Sequence, residues 1–341
     1  MSKAKPAVVP LHQLQPGPPA ADCFALLTEK TAGTTQAGKP FFNCKFRDLK
    51  RTVSTMIWAD SDSFAECEAE WQPGGFFKIR CIFSVSEKYG PQITIANIRA
   101  VREDDKADGF VDGDFYERSR FDSEAMFEEL TKLADAEIVD GPLKAMTLGL
   151  LTEHAAALKR LPATAGRFYP FPGGWLEHVL SVTKSCLQLV DRYRLVYPEL
   201  TPPLNRDIVV SASILHDIGR VAEYTVSDVP GIPVESTTPG RLFGHLALAR
   251  DLIRLEATKH AELDRELLML LEHVVFVHLE LPAWGSPKLP AVPEALILHH
   301  ADDLDAKLEM YVRCLMNDRA DGDFTDADPV LRKPLWKGRK A

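Results

Sequence analysis

Six side chains of this 341-residue chain have the types and spacing to hold a metal ion: His178, His216, Asp217, His245, His278 and Asp302. Imidazole nitrogen mixed with carboxylate oxygen suits Mn, Fe, Zn or Ni better than a purely hard-oxygen ion such as Ca. The adjacent pair His216-Asp217 is the most informative, because it lies within the apolar run IVVSASILHDIGR, Ile208 to Arg220. An imidazole and a carboxylate are costly to bury there unless they are paired or bind a metal. For the dipeptide alone the simpler reading is a histidine bonded to its neighbouring acid, since short motifs match by chance. The other four residues shift that balance. His178 stands near the start of one helical pattern in GGWLEHV, and His245 opens another in GRLFGH. His278 ends a further one, and Asp302 lies inside the last, in LHHADDLDAKL. Helix ends meeting at one point can build a mixed nitrogen and oxygen cage that no single helix supplies.

The elements that must position these groups are legible from periodicity. Leu176–Val196, Ile208–Gly219, Leu242–Leu255, Arg265–Val277 and Pro293–Met316 are expected as helices. Asn205 or Asp207 can cap the helix carrying the pair, and Gly219 suits a left-handed position at its end. Upstream, AMFEELTKLADAEI and LGLLTEHAAALKRL have the same helical spacing. Between Asp22 and Val101 the pattern is strand-like. Five short β-favouring runs are broken by Gly38-Lys39-Pro40, Pro73-Gly74-Gly75 and Gly90-Pro91, which predicts a small closed or nearly closed barrel. The expected organisation is multidomain: an N-terminal tail over 1–20, a barrel over 21–105 and an acidic linker over 106–125. A helical arm over 126–165, an all-α domain over 166–320 and a basic tail over 321–341 follow.

Hydrophobic residues at 45% and charged residues at 26% describe an ordinary globular composition. The net charge of −9 is uneven: residues 1–110 carry 14 basic against 13 acidic side chains, so the acidity lies in the helical half. An acidic body receiving a polyanion needs metal ions or local basic groups at the contact. Arg332, Lys333, Lys337, Arg339 and Lys340 supply a basic terminus, for which a solvated tail is the simpler reading. The six cysteines form no CxxC pair and suit reduced, buried thiols. No run approaches a membrane span, and MSKAKPAVVP lacks the apolar core of a signal peptide. A cytoplasmic protein without membrane attachment is expected, and a homo-oligomer is compatible with the sequence.

The order H…HD…H…H…D resembles the HD superfamily of metal-dependent phosphohydrolases. The words PGGWLEHVLSV, ILHDIGR, GRLFGH, WGSPKLP and LHHADDLDAKL narrow the resemblance to the YhaM-type 3′–5′ exoribonucleases, over roughly residues 11–340. That family joins an N-terminal OB-fold to a C-terminal HD domain. The barrel is therefore expected to be OB-like and to bind nucleic acid, with Phe42, Trp58 or Phe77 stacking on bases. For strand aromatics, packing into the barrel core is the favoured alternative.

The resemblance implies a metal-dependent phosphodiesterase degrading single-stranded RNA from its 3′ end by metal-activated water, with one or two divalent ions, Mn²⁺ foremost. His178, His216, Asp217, His245 and Asp302 match the family's ligand positions, and His278 joins them from the spacing argument. Asp217 is the expected bridging ligand or proton acceptor. Arg220 stands where the family usually has lysine and keeps a positive charge near the phosphate. Arg241, Ser286 and Lys288 are expected to touch substrate or to fix loops. Two words depart from the pattern: His278-Leu279-Glu280 replaces the usual HHG, and Phe168-Tyr169 replaces a His-His pair before PGG. His299, three residues before Asp302, is expected as a packed core histidine or as a hydrogen-bond partner behind the ligands. The rival functions are a phosphohydrolase acting on a nucleotide or other small phosphoester, and a nucleic-acid-binding protein whose HD site has decayed.

Overall fold

The computed structural model describes residues 8–227, 234–318 and 320–338. The chain divides into two units, one built on the described residues up to Glu117 and one on Arg118–Val226 together with the described residues from 234 onward.

In the first unit β1 (Ala21–Thr34), β2 (Pro40–Arg47), β3 (Thr52–Trp58), β4 (Phe76–Ser86) and β5 (Gly90–Ala100) close in the order β1-β2-β3-β5-β4. Alternate residues point inward, as the period of a strand requires: Phe42, Cys44 and Phe46 on β2, and Phe77, Ile79, Cys81 and Phe83 on β4 are buried. A bulge between Leu27 and Glu29 bends β1, which pairs with β4 in its first half and with β2 in its second. Between β3 and β4, α1 (Phe64–Ala69) buries Cys67, and Trp71 just beyond it packs against Phe46 and Phe77. The barrel is closed, five-stranded and OB-like, as expected.

Two segments expected to be loose are part of this unit instead. Leu11 and Leu14, placed in the tail on composition, are buried in the barrel core. Their carbonyls accept hydrogen bonds from Arg51 Nη1 at 3.0 and 2.8 Å, and Val9 N–H donates to Asp22 O at 2.8 Å. The acidic stretch expected as a linker also packs down. Phe110, Phe115 and Tyr116 join Phe24, Leu26 and Phe76 in a second apolar cluster. Asp105 is buried against Arg99 and Lys78, with two Arg99 nitrogens donating at 2.7 and 2.8 Å. Two of the acids that suggested a solvated linker, Asp105 and Asp108, are paired with the strand cations Arg99 and Lys78.

The second unit is helical apart from a short antiparallel pairing of Tyr224–Thr225 with Glu235–Ser236. It contains α2 (Ser123–Glu137), α3 (Gly141–Leu158), α4 (Gly174–Val196), α5 (Arg206–Leu215), the single turn α6 (Arg220–Glu223), α7 (Thr238–Ala257), α8 (Arg265–Val277) and α9 (Pro293–Asn317). Asp122, Asp140, Asn205, Thr237 and Asp264 cap α2, α3, α5, α7 and α8 by accepting a backbone N–H three residues on. Of the two capping residues proposed for α5, Asn205 does it; Asp207 accepts from Val139 and Asp140 N–H. Every residue from Ile208 to Leu215 is buried, so α5 is the central helix of the bundle. The first two helices share the same apolar core as the rest and form no separate arm. The C-terminal stretch folds back as well: Thr325 and Leu335 are buried and bonded N–H to carbonyl at 2.8 Å, and Lys337 pairs with Asp318. Arg339 and Lys340 lie outside the described residues. Among the described residues no helix is long and apolar enough to cross a membrane.

Candidate metal centre

All six side chains singled out by type and spacing converge in the second unit. His178 comes from the first turns of α4, His216 and Asp217 from the end of α5, His245 from α7, His278 from the end of α8 and Asp302 from the middle of α9. Ligating atoms of His178, His216 and Asp217 lie within 4.8 Å of one another, as do those of His216, His278 and Asp302, and those of Asp217, His245 and His278.

Two of the histidines are placed by one device. α5 and α8 each end on a histidine whose Nδ1 donates to the carbonyl three residues back: His216 to Ser213 O and His278 to Val275 O, both at 2.8 Å. A helix leaves its last carbonyls unpaired, so the ring satisfies its own helix end. A carbonyl only accepts, so each ring carries its proton on Nδ1 and keeps a lone pair on Nε2. His178 Nδ1 bonds Asp305 Oδ2 at 2.8 Å, which again turns Nε2 inward. The inward atoms crowd one another: His178 Nε2 is 3.4 Å from His216 Nε2 and 3.1 Å from Asp302 Oδ1. His245 Nε2 stands 3.3 Å from Asp217 Oδ1, and among the described residues neither atom has a hydrogen-bond partner. Lone pairs and carboxylate oxygens brought this close, in a buried place, need a cation between them. The donor set therefore fits a divalent metal, and this cluster can hold one.

The electrostatics agree. Burial above all, with the neighbouring His216, pushes His278 down to about 4, and burial likewise lowers His216 and His245, which favours the neutral, ligating form. Burial opposes ionisation of Asp302, yet His178 and the other imidazoles hold its carboxyl down at about 2. Asp217 is lowered further, against burial, by the Arg220 guanidinium and three imidazoles. Burial would lower His178, but hydrogen bonds to Asp302 and Asp305 raise it to about 10, so a proton sits there when no metal does.

The glycines behind the centre make room for it. A Cβ on Gly219 would stand 2.0 Å from His245 O and 2.6 Å from Ala249 N, so only glycine lets α6 and α7 approach this closely. Its backbone is right-handed, φ −61°, which corrects the left-handed role expected from the sequence. Gly244 does have the positive φ, 70°, and breaks α7 one residue before His245. Trp175 Nε1 donates to Asp217 O at 2.9 Å and ties α4 to the His-Asp turn.

Arg220 is buried, its Nε 3.4 Å from Asp217 Oδ2 and its Nη1 2.5 Å from Glu223 Oε2. Arg241 and Lys288 are exposed, whereas Ser286 is buried and donates to Lys288 O at 2.6 Å. Ser286 thus fixes its loop. Glu280, in the place of the usual glycine, takes the left-handed φ of 62° that the glycine would favour. Its carboxylate meets His299 Nε2 at 2.9 Å, away from the six-residue cluster, and His299 Nδ1 donates to His278 O at 2.7 Å. Phe168 and Tyr169, in the place of the usual histidine pair, set their rings 5.0 and 5.6 Å from that of His178. Sequence reasoning missed Asp305 and Glu223. Each lies three residues after a residue it did select, Asp302 and Arg220, so helical spacing was the available signal.

The family model described as the HD domain matches residues 175–307, which contain all six residues. The fold and the cluster together define an HD-type metal-dependent phosphohydrolase carried on the same chain as an OB-like barrel. Over 306 residues, 89% of this chain, the protein is 30% identical to the 3′–5′ exoribonuclease YhaM of Geobacillus sp. (strain WCH70), covering 87% of that protein. It is 28% identical to the 3′–5′ exoribonuclease YhaM of Bacillus subtilis (strain 168), covering 90% of it. The chain belongs to the YhaM family.

Proposed function

We propose that the protein is a cytoplasmic 3′–5′ exoribonuclease that shortens single-stranded RNA with the help of one or two divalent ions, Mn²⁺ foremost. The observation that carries this reading is the pair of buried atoms, Asp217 Oδ1 and His245 Nε2, without a hydrogen-bond partner among the described residues, inside a ring of inward-facing imidazoles in a YhaM-family chain. His178, His216, Asp217, His245, His278 and Asp302 would hold the ion or ions, in overlapping sets whose ligating atoms lie within 4.8 Å of one another. A bound divalent ion supplies a polarised phosphoryl oxygen and an activated water.

The chain's own groups do the rest. Asp217, held ionised by the charges around it, is available to bridge or to accept a proton. Arg220, fixed by Asp217 and Glu223, places a permanent guanidinium charge beside the cluster, where it can face a phosphate without first being ordered. Arg241 and Lys288 are free to meet the backbone of the strand. The buried free thiols Cys23, Cys44, Cys67, Cys81 and Cys186 suit a reducing compartment.

The decisive experiment is a time course on 5′-labelled single-stranded RNA with Mn²⁺ or with chelator. A ladder shortening from the 3′ end, absent with chelator and in the His216→Ala/Asp217→Ala double variant, is expected. Intact RNA alongside hydrolysis of a nucleotide or small phosphoester would replace this reading with the small-substrate enzyme.

A further inference from the structure

The four imidazoles of the centre are not held alike. His216 and His278 lean on neutral carbonyls of their own helices. His245 Nδ1 lies 3.9 Å from Glu223 Oε2, beyond a good hydrogen bond. Among the described residues, His178 alone of the four has a carboxylate within 3 Å of its remote nitrogen, Asp305 Oδ2 at 2.8 Å.

Asp305 is itself constrained. Its other oxygen accepts from Ser181 Oγ at 2.5 Å, and the Tyr169 hydroxyl interacts with the same carboxylate. The geometry repeats along two packed helices: His178 and Ser181 are one turn apart on α4, Asp302 and Asp305 one turn apart on α9. One turn of α9 therefore addresses both nitrogens of a single ring, Asp302 at Nε2 and Asp305 at Nδ1. Asp305 lies mid-helix, far from either end of α9, so it does no capping. A carboxylate side chain only 13% exposed, placed there to take a ring N–H, has a positioning role.

We infer that Asp305 is a positioning residue of the metal centre: by taking the Nδ1 proton of His178 it fixes that ring's tautomer and makes its Nε2 the strongest nitrogen donor of the set. The inference rests on the reading of His178 as a metal ligand. The physical reason is that a negatively charged acceptor makes an imidazole more basic than a neutral carbonyl does, and it locks the ring's rotation as well. Ser181 and Tyr169 serve the carboxylate, so their effects should be smaller.

The test is a calorimetric Mn²⁺ titration of the full-length protein and of Asp305→Ala, Asp305→Asn and Ser181→Ala. It is paired with ¹⁵N spectra of the histidine side chains in Zn²⁺, assigned with His178→Ala. Asp305→Ala should weaken Mn²⁺ binding by about tenfold to a hundredfold and give His178 signals of mixed tautomers. Asp305→Asn, which keeps an acceptor but no charge, should fall between it and wild type, and Ser181→Ala should lose less than either. Melting curves show which variants are folded. Folded Asp305→Ala binding Mn²⁺ within about twofold of wild type, with an unchanged His178 signal, would overturn the inference. If that variant does not fold, the same comparison is made on Asp305→Asn and decides in the same way. Wild-type protein that binds no divalent ion would overturn the metal-centre reading, and this inference with it.

Discussion

A histidine at the end of a helix can satisfy that helix's last carbonyl with one nitrogen and offer the other to a ligand. This chain does so at His216 and again at His278. The arrangement is stable only while the rings are neutral, and that has a pH consequence whose sign follows from the shifts. An unfolded histidine takes up its proton near pH 6.5, whereas folded His278 resists until about 4. Below about 6.5 the unfolded chain therefore binds more protons, and stability falls as pH drops through that window. His278 alone contributes up to about 3 kcal/mol of this loss. His178 runs the other way: raised to about 10, it stabilises the metal-free protein below about 6.5 and loses that contribution as pH rises through about 10. Thermal midpoints in chelator should drop from pH 6.5 to 4, and His278→Gln should flatten the slope; an equally steep slope in the variant would refute the assignment. The six cluster residues were legible because their types are rare inside apolar helical runs. Asp305 and Glu223 were not, because a carboxylate on a helix is ordinarily a solvated one, and only the fold shows what it faces.

Helices deliver the six groups, and their approach distances decide whether the groups meet. Glycine enters at two places for different reasons. At Gly219 the conformation is ordinary and the obstacle is contact, since an added Cβ meets the backbone of His245 and Ala249. At Gly244 nothing stands within 4 Å of an added Cβ, and the obstacle is the positive φ alone. Gly219→Ala must push α7 away from α6 and carry His245 with it, so both stability and Mn²⁺ affinity should fall. Gly244→Ala should lose about 1–2 kcal/mol of stability from backbone strain. Calorimetry on the two variants side by side checks this, and equal Mn²⁺ affinity in wild type and Gly219→Ala would show that the close approach does not place His245. Helix positions followed from apolar periodicity, and Asn205 from capping preference. The role of Gly219 did not, because a left-handed end and a tight crossing use the same residue. Nor did periodicity reveal Leu11, Leu14, Phe110 and Phe115. Each sits in an irregular segment whose burial comes from the barrel it covers, not from its neighbours in sequence.

At the scale of the whole chain, the proposed function gives hydrolysis to the helical unit and would give the grip on RNA to the barrel. The acidic charge lies in the helical half and the barrel half is nearly balanced, so long-range attraction is a poor explanation for strand binding. Stacking is a better one. Phe42 and Phe77, two of the three aromatics considered for it, are buried barrel core, but Trp58 is 45% exposed. It is the cross-strand partner of Phe41, with ring centroids 5.4 Å apart. Phe41 in turn lies across Gly33 of β1, where a Cβ would come within 2.4 Å of the ring. The absence of a side chain there leaves room for the tip of the ring. The exposed Trp58 ring, backed by the half-buried Phe41 ring tilted 52° to it, can accept any base, at about 1–3 kcal/mol for each base stacked. Trp58→Ala in the full-length protein should therefore raise KM on a single-stranded RNA by about fivefold to a hundredfold. Turnover of a small chromogenic phosphodiester, which has no strand to grip, should not change. Steady-state kinetics on both substrates reads the difference. A parallel loss on both would mean that the substitution damages the chain generally, and no loss on either would take the aromatic pair out of substrate binding.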